Sequence, residues 1–300
     1  MSQVWVAGEV LIDLIPEGTD RKPIVGGGPA NTAKALSKLG IETQFIDGIS
    51  TDEYGQMAKD ELITSGVKLD YVKYSDKPTS LAIVLLSESG SASYEFVIEN
   101  TATFDFTPDW LPNPQTKQPV LLHIGTLATA IEPGASNLFE WAQSVAKVAP
   151  VVFDPNIRPA VKSDRNEYVK QVERWVSISS AVKVSDEDIK WLYPSLEIDQ
   201  VVNNWLAKGP SLIVVTNGDK GLAGYRLGEK VIVDAIKVTV ADTVGAGDTV
   251  GAILVEAIVK DGLSSLSGVR LEIMLKRAAK AAAITVSRSG ANPPTLKEIE

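Results

Sequence analysis

Four short β-rich runs, VLLHI at 120–124, VVFD at 151–154, AVKV at 181–184 and LIVVT at 212–216, alternate with longer helix-patterned stretches such as Glu140 to Val148 and Asn166 to Ser177. A chain with this rhythm is expected to form a central, mostly parallel sheet flanked by helices, because each parallel crossover needs a connecting segment that then covers a face of the sheet. The first half reads differently. After a strand at Val4 to Ala7 and a helical stretch starting near Ala30, LAIVLL and SYEFVI within residues 81–98 read as two strands joined by Ser87 to Ser91. A hairpin that belongs to no βα unit can form a small sheet projecting from the main one, placed to cover a ligand. No repeat, low-complexity tract or charged linker interrupts the chain. The expectation is one α/β domain over 1–300 with a small β-sheet lid made from segments of about 10–24 and 78–107.

Several function classes drop out on composition. Zero cysteines exclude disulfides, thiolate zinc sites and a cysteine nucleophile, and they favour a reducing, cytoplasmic setting. The opening MSQVWVAGEVLIDLIPEG lacks the basic and apolar regions of a signal peptide. No stretch approaches the roughly 20 uninterrupted apolar residues of a membrane span, since Lys280 breaks the Ala-rich segment near residues 278–286. A formal charge of -9 without a Lys/Arg cluster makes nucleic acid a poor partner. A nucleotide stays open, because a metal and a helix N-terminus neutralise phosphates locally. His123 is the only histidine, which rules out a histidine zinc site and suits a core or loop position at the end of a strand.

The segment Val238 to Leu254, VTVADTVGAGDTVGAIL, reads as a strand, a glycine-bearing turn and a long helix. Gly245, Ala246 and Gly247 would let the backbone approach a ligand closely, with free N–H groups at the helix start aimed at an anion. Asp248 falls in the first helical turn, where the helix dipole favours its ionised form and leaves it a weak base. That suffices for phosphoryl transfer, whose loose transition state rewards positioning and electrostatics. An ordinary glycine turn followed by a helix-start acid is the competing reading. A dinucleotide fingerprint fails because GxGxxG would require glycine at Val250, and no Walker GxxxxGK pattern occurs in the chain.

Asp242-Thr243-Val244-Gly245-Ala246-Gly247-Asp248 resembles the DTxGAGD signature of the ribokinase-like, or PfkB, carbohydrate kinases, and Gly26-Gly27-Gly28-Pro29-Ala30-Asn31 resembles that family's N-terminal glycine pair followed by Asn. The two stand in the family's order, and the resemblance spans essentially the whole chain. It implies a three-layer ribokinase-like fold and an ATP-dependent sugar kinase with Asp248 as catalytic base and the 245–247 amides as the anion hole. In similar enzymes the positions of Asp13, Gly27, Gly28 and Asn31 grip sugar hydroxyls. Asp13, which the sequence places just after the first strand, accepts from hydroxyls, and Asn31 both donates and accepts. Alone, the same two residues read as a turn acid and a capping Asn.

Phe153-Asp154-Pro155-Asn156-Ile157-Arg158-Pro159 resembles the DPNxRP segment of fructokinases and 2-keto-3-deoxygluconate kinases. Arg158 would orient a sugar oxygen, pair with phosphate as a bidentate donor, or anchor the loop through a carboxylate. On the nucleotide side, Thr216, Gly218 and Gly221 match a TxGxxG segment that similar kinases place over ATP, with Lys183 and Thr243 as further nucleotide contacts. Lys183-Val184-Ser185-Asp186-Glu187-Asp188 stands where the family has NxxE. There Ser185 replaces Asn and doubles as a helix N-cap, and Asp188 replaces Glu with a shorter reach toward magnesium through ordered water. The implied acceptor is a ketose, fructose at its 6-position. In place of the family's lid aromatics, Arg and Ala-Asp, this chain has Phe96-Val97-Ile98-Glu99-Asn100-Thr101-Ala102-Thr103, and it lacks the lid arginine that would meet a keto-acid carboxylate. 2-Keto-3-deoxygluconate, ribose and nucleosides stay open as acceptors, as does a non-catalytic sugar-binding regulator. ATP, Mg²⁺ and, as an open option, K⁺ are the implied cofactors, and a homodimer through the lid is the implied assembly.

Overall fold

The computed structural model describes residues 3–86 and 92–300, and the expected Ser87 to Ser91 turn lies outside them. In chain order the first third holds β1 (Val4–Ala7), β2 (Leu11–Glu17), β3 (Asp20–Gly26), α1 (Gly28–Lys38), β4 (Thr43–Ile46), β5 (Gly48–Ser50), α2 (Glu53–Thr64), β6 (Lys73–Ser75), β7 (Leu81–Leu86) and β8 (Ala92–Val97). The middle holds α3 (Pro114–Lys117), β9 (Leu121–Gly125), a 3₁₀ turn (Thr126–Thr129), α4 (Gly134–Val145), β10 (Val151–Asp154), α5 (Arg165–Val176), β11 (Ala181–Ser185), α6 (Asp186–Leu192) and α7 (Ile198–Leu206). The last third holds β12 (Leu212–Thr216), β13 (Leu222–Arg226), β14 (Glu229–Val233), α8 (Ala246–Asp261), α9 (Gly268–Val286) and α10 (Leu296–Ile299).

The main sheet runs β14-β13-β12-β11-β10-β9-β1-β4 and is parallel from β12 to β4; only β13 and β14 pair antiparallel. Its parallel strands are buried on both faces, as a covered parallel sheet requires, whereas the edge strand β14 leaves one face exposed. The alternation along β1 shows the division. Trp5 and Ala7 join one core with Leu138 of α4, Trp175 of α5 and Trp205 of α7, while Val4 and Val6 join the other with Leu36 of α1, Ile253 of α8 and Leu275 of α9. Three layers result. Trp5, fully buried, stacks on Trp141 at 5.8 Å between ring centroids and meets Tyr71 edge-on at 5.6 Å.

The second sheet, β3-β2-β7-β8, departs from the main one between β1 and α1. Its β2–β3 hairpin leaves the end of β1 and returns at Gly26 to start α1, so both of its roots lie at the carboxyl edge of the main sheet. There Gly125, Asp154, Ser185 and Thr216 end their strands, with Gly125 paired to Asp154 and Ser185 to Thr216. That edge is where open α/β sheets bind ligands.

Asp13 lies within β2, inside the segment expected to form the small sheet, paired with Ile24 and Ala82. Two expectations change. The helix near Ala30 begins two residues earlier, at Gly28, with Pro29 in its first turn. The β-rich run Val238 to Val240 is not a strand: both valines are exposed, and the chain is tied instead by the Ala241 and Asp242 amides to the Val286 carbonyl at 2.8 and 3.2 Å. Alternation alone does not make a strand where the chain's amides find other partners. Among the described residues no helix is long and apolar enough to cross a membrane.

Candidate active site

Gly245 takes φ 79° and lets the chain turn into α8. A Cβ there would lie 2.7 Å from the Ala291 side chain, so neither the backbone angle nor the space suits another residue. Asp242 braces the loop from both sides, its carboxylate accepting the Val244 amide at 3.0 Å and the Gly290 amide at 2.9 Å. The Thr249 N–H turns back to the Gly245 carbonyl at 2.9 Å, and the N–H groups before it face out of the helix end, apart from Ala246, which reaches Thr243 at 3.4 Å.

Asp248 is buried, and its Oδ2 accepts the Asn31 Nδ2–H at 2.9 Å across 217 residues of sequence. Burial pushes its carboxyl up to about 6 against the pull of Lys183, the Asn31 hydrogen bond and Arg158, with Asp154 adding to the rise. The helix dipole expected to leave Asp248 a weak base is therefore outweighed by desolvation, and the group is a stronger base than its place at a helix start implied. Gly28 faces it directly: a Cβ built there would stand 3.3 Å from Asp248 Oδ1, 3.0 Å from Asn156 Nδ2 and 2.8 Å from Thr126 Oγ1. Any side chain at position 28 would fill the space in front of the carboxylate. Gly27, at φ 104°, caps α1 with its missing Cβ against the Glu9 carbonyl.

Asp13 lies over the end of the β2–β3 hairpin, where a Cβ on Gly26 would collide with its Oδ2. Burial pushes its carboxyl up to about 6, opposed by Arg158 and Lys34. Arg158 anchors its own loop, donating from Nη1 to Asn156 Oδ1 at 2.7 Å and to the Asn156 and Ile157 carbonyls at 3.1 Å. The anchoring is made through an amide oxygen and two carbonyls, not through the expected carboxylate. The Arg158 charge still reaches Asp13 and Asp248.

Lys183 reaches from β11 under the loop. Its Nζ donates to Asp154 Oδ2 at 2.9 Å, both side chains are buried, and a Cβ on Gly247 would stand 2.8 Å from it. Burial alone would push this ammonium down, but Asp154 and Asp248 outweigh it and hold its pKa above the ordinary lysine value. Ser185 caps α6, accepting the Asp188 amide at 3.0 Å, and Asp188 Oδ1 in turn accepts the Ile157 amide at 3.0 Å. Burial and the nearby Asp154 push the Asp188 carboxyl up. Asp188 thus clamps the Asn156–Arg158 loop, and among the described residues no three His, Cys, Asp or Glu side chains converge as a metal cage. Thr216 ends β12 beside Ser185, Gly218 and Gly221 follow it at φ 55° and 98°, and Thr243 is exposed on the loop before Gly245.

The residues read from sequence thus collect at one sheet edge. Glu9, Thr126, Asp154 and Asn156 had been given no role, although Asp154 and Asn156 lie inside a motif that was read. His123 is buried with neither ring nitrogen partnered, and burial pushes its pKa down to about 4, so it is neutral. A groove of about 1240 Å³ lies beneath β8, between Tyr94 to Thr101 and Ala160 to Lys162, and the residues around Asp248 do not line it.

The sequence profile of the pfkB family carbohydrate kinases matches residues 1–298. The chain belongs to this family. Among relatives of this pfkB-family chain, the fructokinase of Rhizobium leguminosarum bv. trifolii is 34% identical over 265 residues, covering 87% of this chain and 81% of that protein. A fructokinase from Xylella fastidiosa, solved with bound ATP, shares the fold with a TM-score of 0.91 at 23% identity, over 99% of this chain and 96% of the other. A fructokinase double mutant from Vibrio cholerae O395, solved in a fructose-, ADP- and potassium-bound form, is 27% identical with a TM-score of 0.84, over 97% of this chain and 94% of that one. The expected ribokinase-like architecture is borne out, with its mostly parallel central sheet, flanking helices and small additional sheet.

Proposed function

We propose that this chain transfers the γ-phosphoryl group of ATP to the primary hydroxyl of fructose, giving fructose 6-phosphate. The observation that carries the reading is the buried Asp248 carboxylate at the start of α8, held by Asn31 and facing the open Cα of Gly28. In this reading Asp13 and Asn31 orient the sugar, with Gly27 and Gly28 leaving room for it. Asp248 Oδ1 accepts the proton of the attacking hydroxyl as the hydroxyl oxygen bonds to the γ-phosphorus and the bond to the β,γ-bridging oxygen breaks, leaving ADP. The amides of Gly245 and Gly247, joined by that of Ala246 once it leaves its 3.4 Å contact with the Thr243 carbonyl, take the charge of the transferred group, with Lys183 beneath them as a fixed cation. Thr216, Gly218, Gly221 and Thr243 border the nucleotide. Magnesium would enter on the triphosphate and neutralise phosphate oxygens, and Asp188, whose Oδ1 accepts the Ile157 amide, would hold it through water. The potassium-bound form of the Vibrio cholerae O395 relative supports K⁺ as an optional further cofactor. Residues 1–300 act as one domain whose second sheet closes over the sugar and excludes water that would otherwise hydrolyse ATP. The outer strand β8 leaves Tyr94 and Val97 exposed, which supports pairing of lids in a homodimer. A cysteine-free, ATP-consuming enzyme of this kind is assigned to the cytoplasm.

The test is ADP release from MgATP with separate sugars. Fructose is expected to be turned over well above 2-keto-3-deoxygluconate, ribose and nucleosides; no ADP with any acceptor would sink the reading in favour of a sugar-binding regulator. A second expectation concerns pH. Asp248 must be ionised to accept a proton, so kcat/KM for fructose should be flat above neutrality and fall as pH drops through about 6. Asp13 titrates in the same window, so the acid limb should be steeper than one proton allows. A profile flat down to pH 5 would remove Asp248 as the base.

A further inference from the structure

Thr126 opens the 3₁₀ turn after β9 with φ 60°, a left-handed backbone that is an outlier for a β-branched residue. Outliers of this kind persist where their surroundings hold them, and they cluster at functional sites. The holding group is Glu9. Its carboxylate accepts the Leu127 amide at 3.4 Å through Oε1 and the Ala128 amide at 3.1 Å through Oε2, and only 1% of the residue is exposed. Burial pushes this carboxyl up to about 8, in keeping with how completely it is enclosed. The Thr129 hydroxyl closes the turn on the Thr126 carbonyl at 2.7 Å.

The strained residue is aimed. Thr126 Oγ1, Asn156 Nδ2 and Asp248 Oδ1 come from three separate elements and converge within 3.3 Å of the Cβ that Gly28 lacks. Asn156, itself at φ 41°, donates to Thr126 Oγ1 at 3.4 Å, which uses the oxygen as acceptor and leaves its proton to be donated elsewhere. A hydroxyl donor thus stands beside the candidate base, across the space that a side chain at 28 would occupy.

Resting on the kinase reading above, we propose that Glu9 and Thr126 form a positioning pair for the acceptor sugar. The Thr126 hydroxyl donates to a sugar oxygen neighbouring the reacting hydroxyl, and the Glu9 carboxylate, which does not touch the sugar, holds the turn that aims it. With the sugar held on one side by Thr126 and its reacting hydroxyl engaged by Asp248 on the other, the attacking oxygen has one direction of approach.

Steady-state kinetics on four variants test this. Thr126→Val keeps the branch at Cβ and removes only the O–H; it should lower kcat/KM for fructose by about 10- to 100-fold with KM for ATP changed less than about threefold. Thr126→Ser keeps the hydroxyl and should stay within about threefold of the wild type. Glu9→Gln sets an NH2 group, which cannot accept, against one of the two amides that the carboxyl oxygens hold. It should cost about tenfold in fructose kcat/KM with Thr126 present and less than about twofold once position 126 is Val. Should Glu9→Gln fail to fold, Glu9→Asp, which retracts both oxygens from the amides, takes its place in the cycle. Thr126→Val with fructose kcat/KM within about threefold of the wild type would overturn the role of Thr126. Equal Glu9 effects in both backgrounds would make Glu9 a structural cap and overturn the pair. Wild-type protein that releases no ADP with any sugar would sink the kinase reading and this inference with it, whereas the variant outcomes leave that reading untouched.

Discussion

Asp248→Asn should lose about 10² to 10⁴ in turnover with MgATP and fructose while binding the sugar nearly as well as the wild type. The substitution keeps the shape and leaves an oxygen to accept from Asn31 Nδ2, but it removes the proton acceptor in front of Gly28. Stability should move the other way. A carboxyl whose folded pKa is raised to about 6 from 3.8 stabilises the fold most when protonated, below its unfolded pKa, and that contribution is lost as pH rises through about 6. At neutral pH the ionised, buried group is therefore a cost, and the neutral amide should melt at or above the wild-type temperature. Loss of activity with retained or improved stability marks a functional residue held against its environment. A variant with near-normal turnover would take Asp248 out of the proton transfer.

Lys183→Met should damage both stability and catalysis, and the two can be separated. Asp154 is 2% exposed, its Oδ1 has no hydrogen-bond partner, and its Oδ2 depends on Lys183 at 2.9 Å. Removing the cation leaves an uncompensated buried carboxylate, a loss of about 3–5 kcal/mol. In a chain of this size that lowers the melting temperature by several degrees or more. Asp154→Asn combined with Lys183→Met removes both charges and should recover most of the stability, since breaking a buried pair is costly and replacing it whole is close to neutral. Phosphoryl transfer should not recover, because Lys183 is also the cation beneath Gly247. Thermal melts and ADP release on the single and double variants decide this. A double variant that regains turnover would reduce Lys183 to a structural partner of Asp154.

Most of the strands from Leu121 to Thr216 were legible because each is a short apolar run bounded by polar, helix-patterned segments, a signal carried by neighbouring residues. The failure at Val238 to Val240 has the same root. A β-rich run becomes a strand only if it pairs with an edge, and here the Ala241 and Asp242 amides that follow it go to the Val286 carbonyl instead. Asp13 was legible as an acid near the sugar side and as part of a lid segment, but its strand partners Ile24 and Ala82, 11 and 69 positions further on, were not. Thr126 left no signal at all. Its importance rests on a positive φ and on Glu9, 117 positions earlier in the chain, and neither can be read from the letters Gly125-Thr126-Leu127.

By itself the sequence determined the α/β class, the glycine loop opening a helix and the acid that follows it, since these depend on local backbone freedom and on residues a few positions apart. Only the tertiary structure decided what those groups are chemically. It sets Asp248 against Asn31, 217 positions away, and its burial overrides the helix dipole to raise the carboxyl. It turns Arg158 onto its own loop and pairs Lys183 with Asp154. Protonation and hydrogen-bond partnership follow from desolvation and from which distant groups are brought within about 3 Å, and neither quantity exists until the chain has folded.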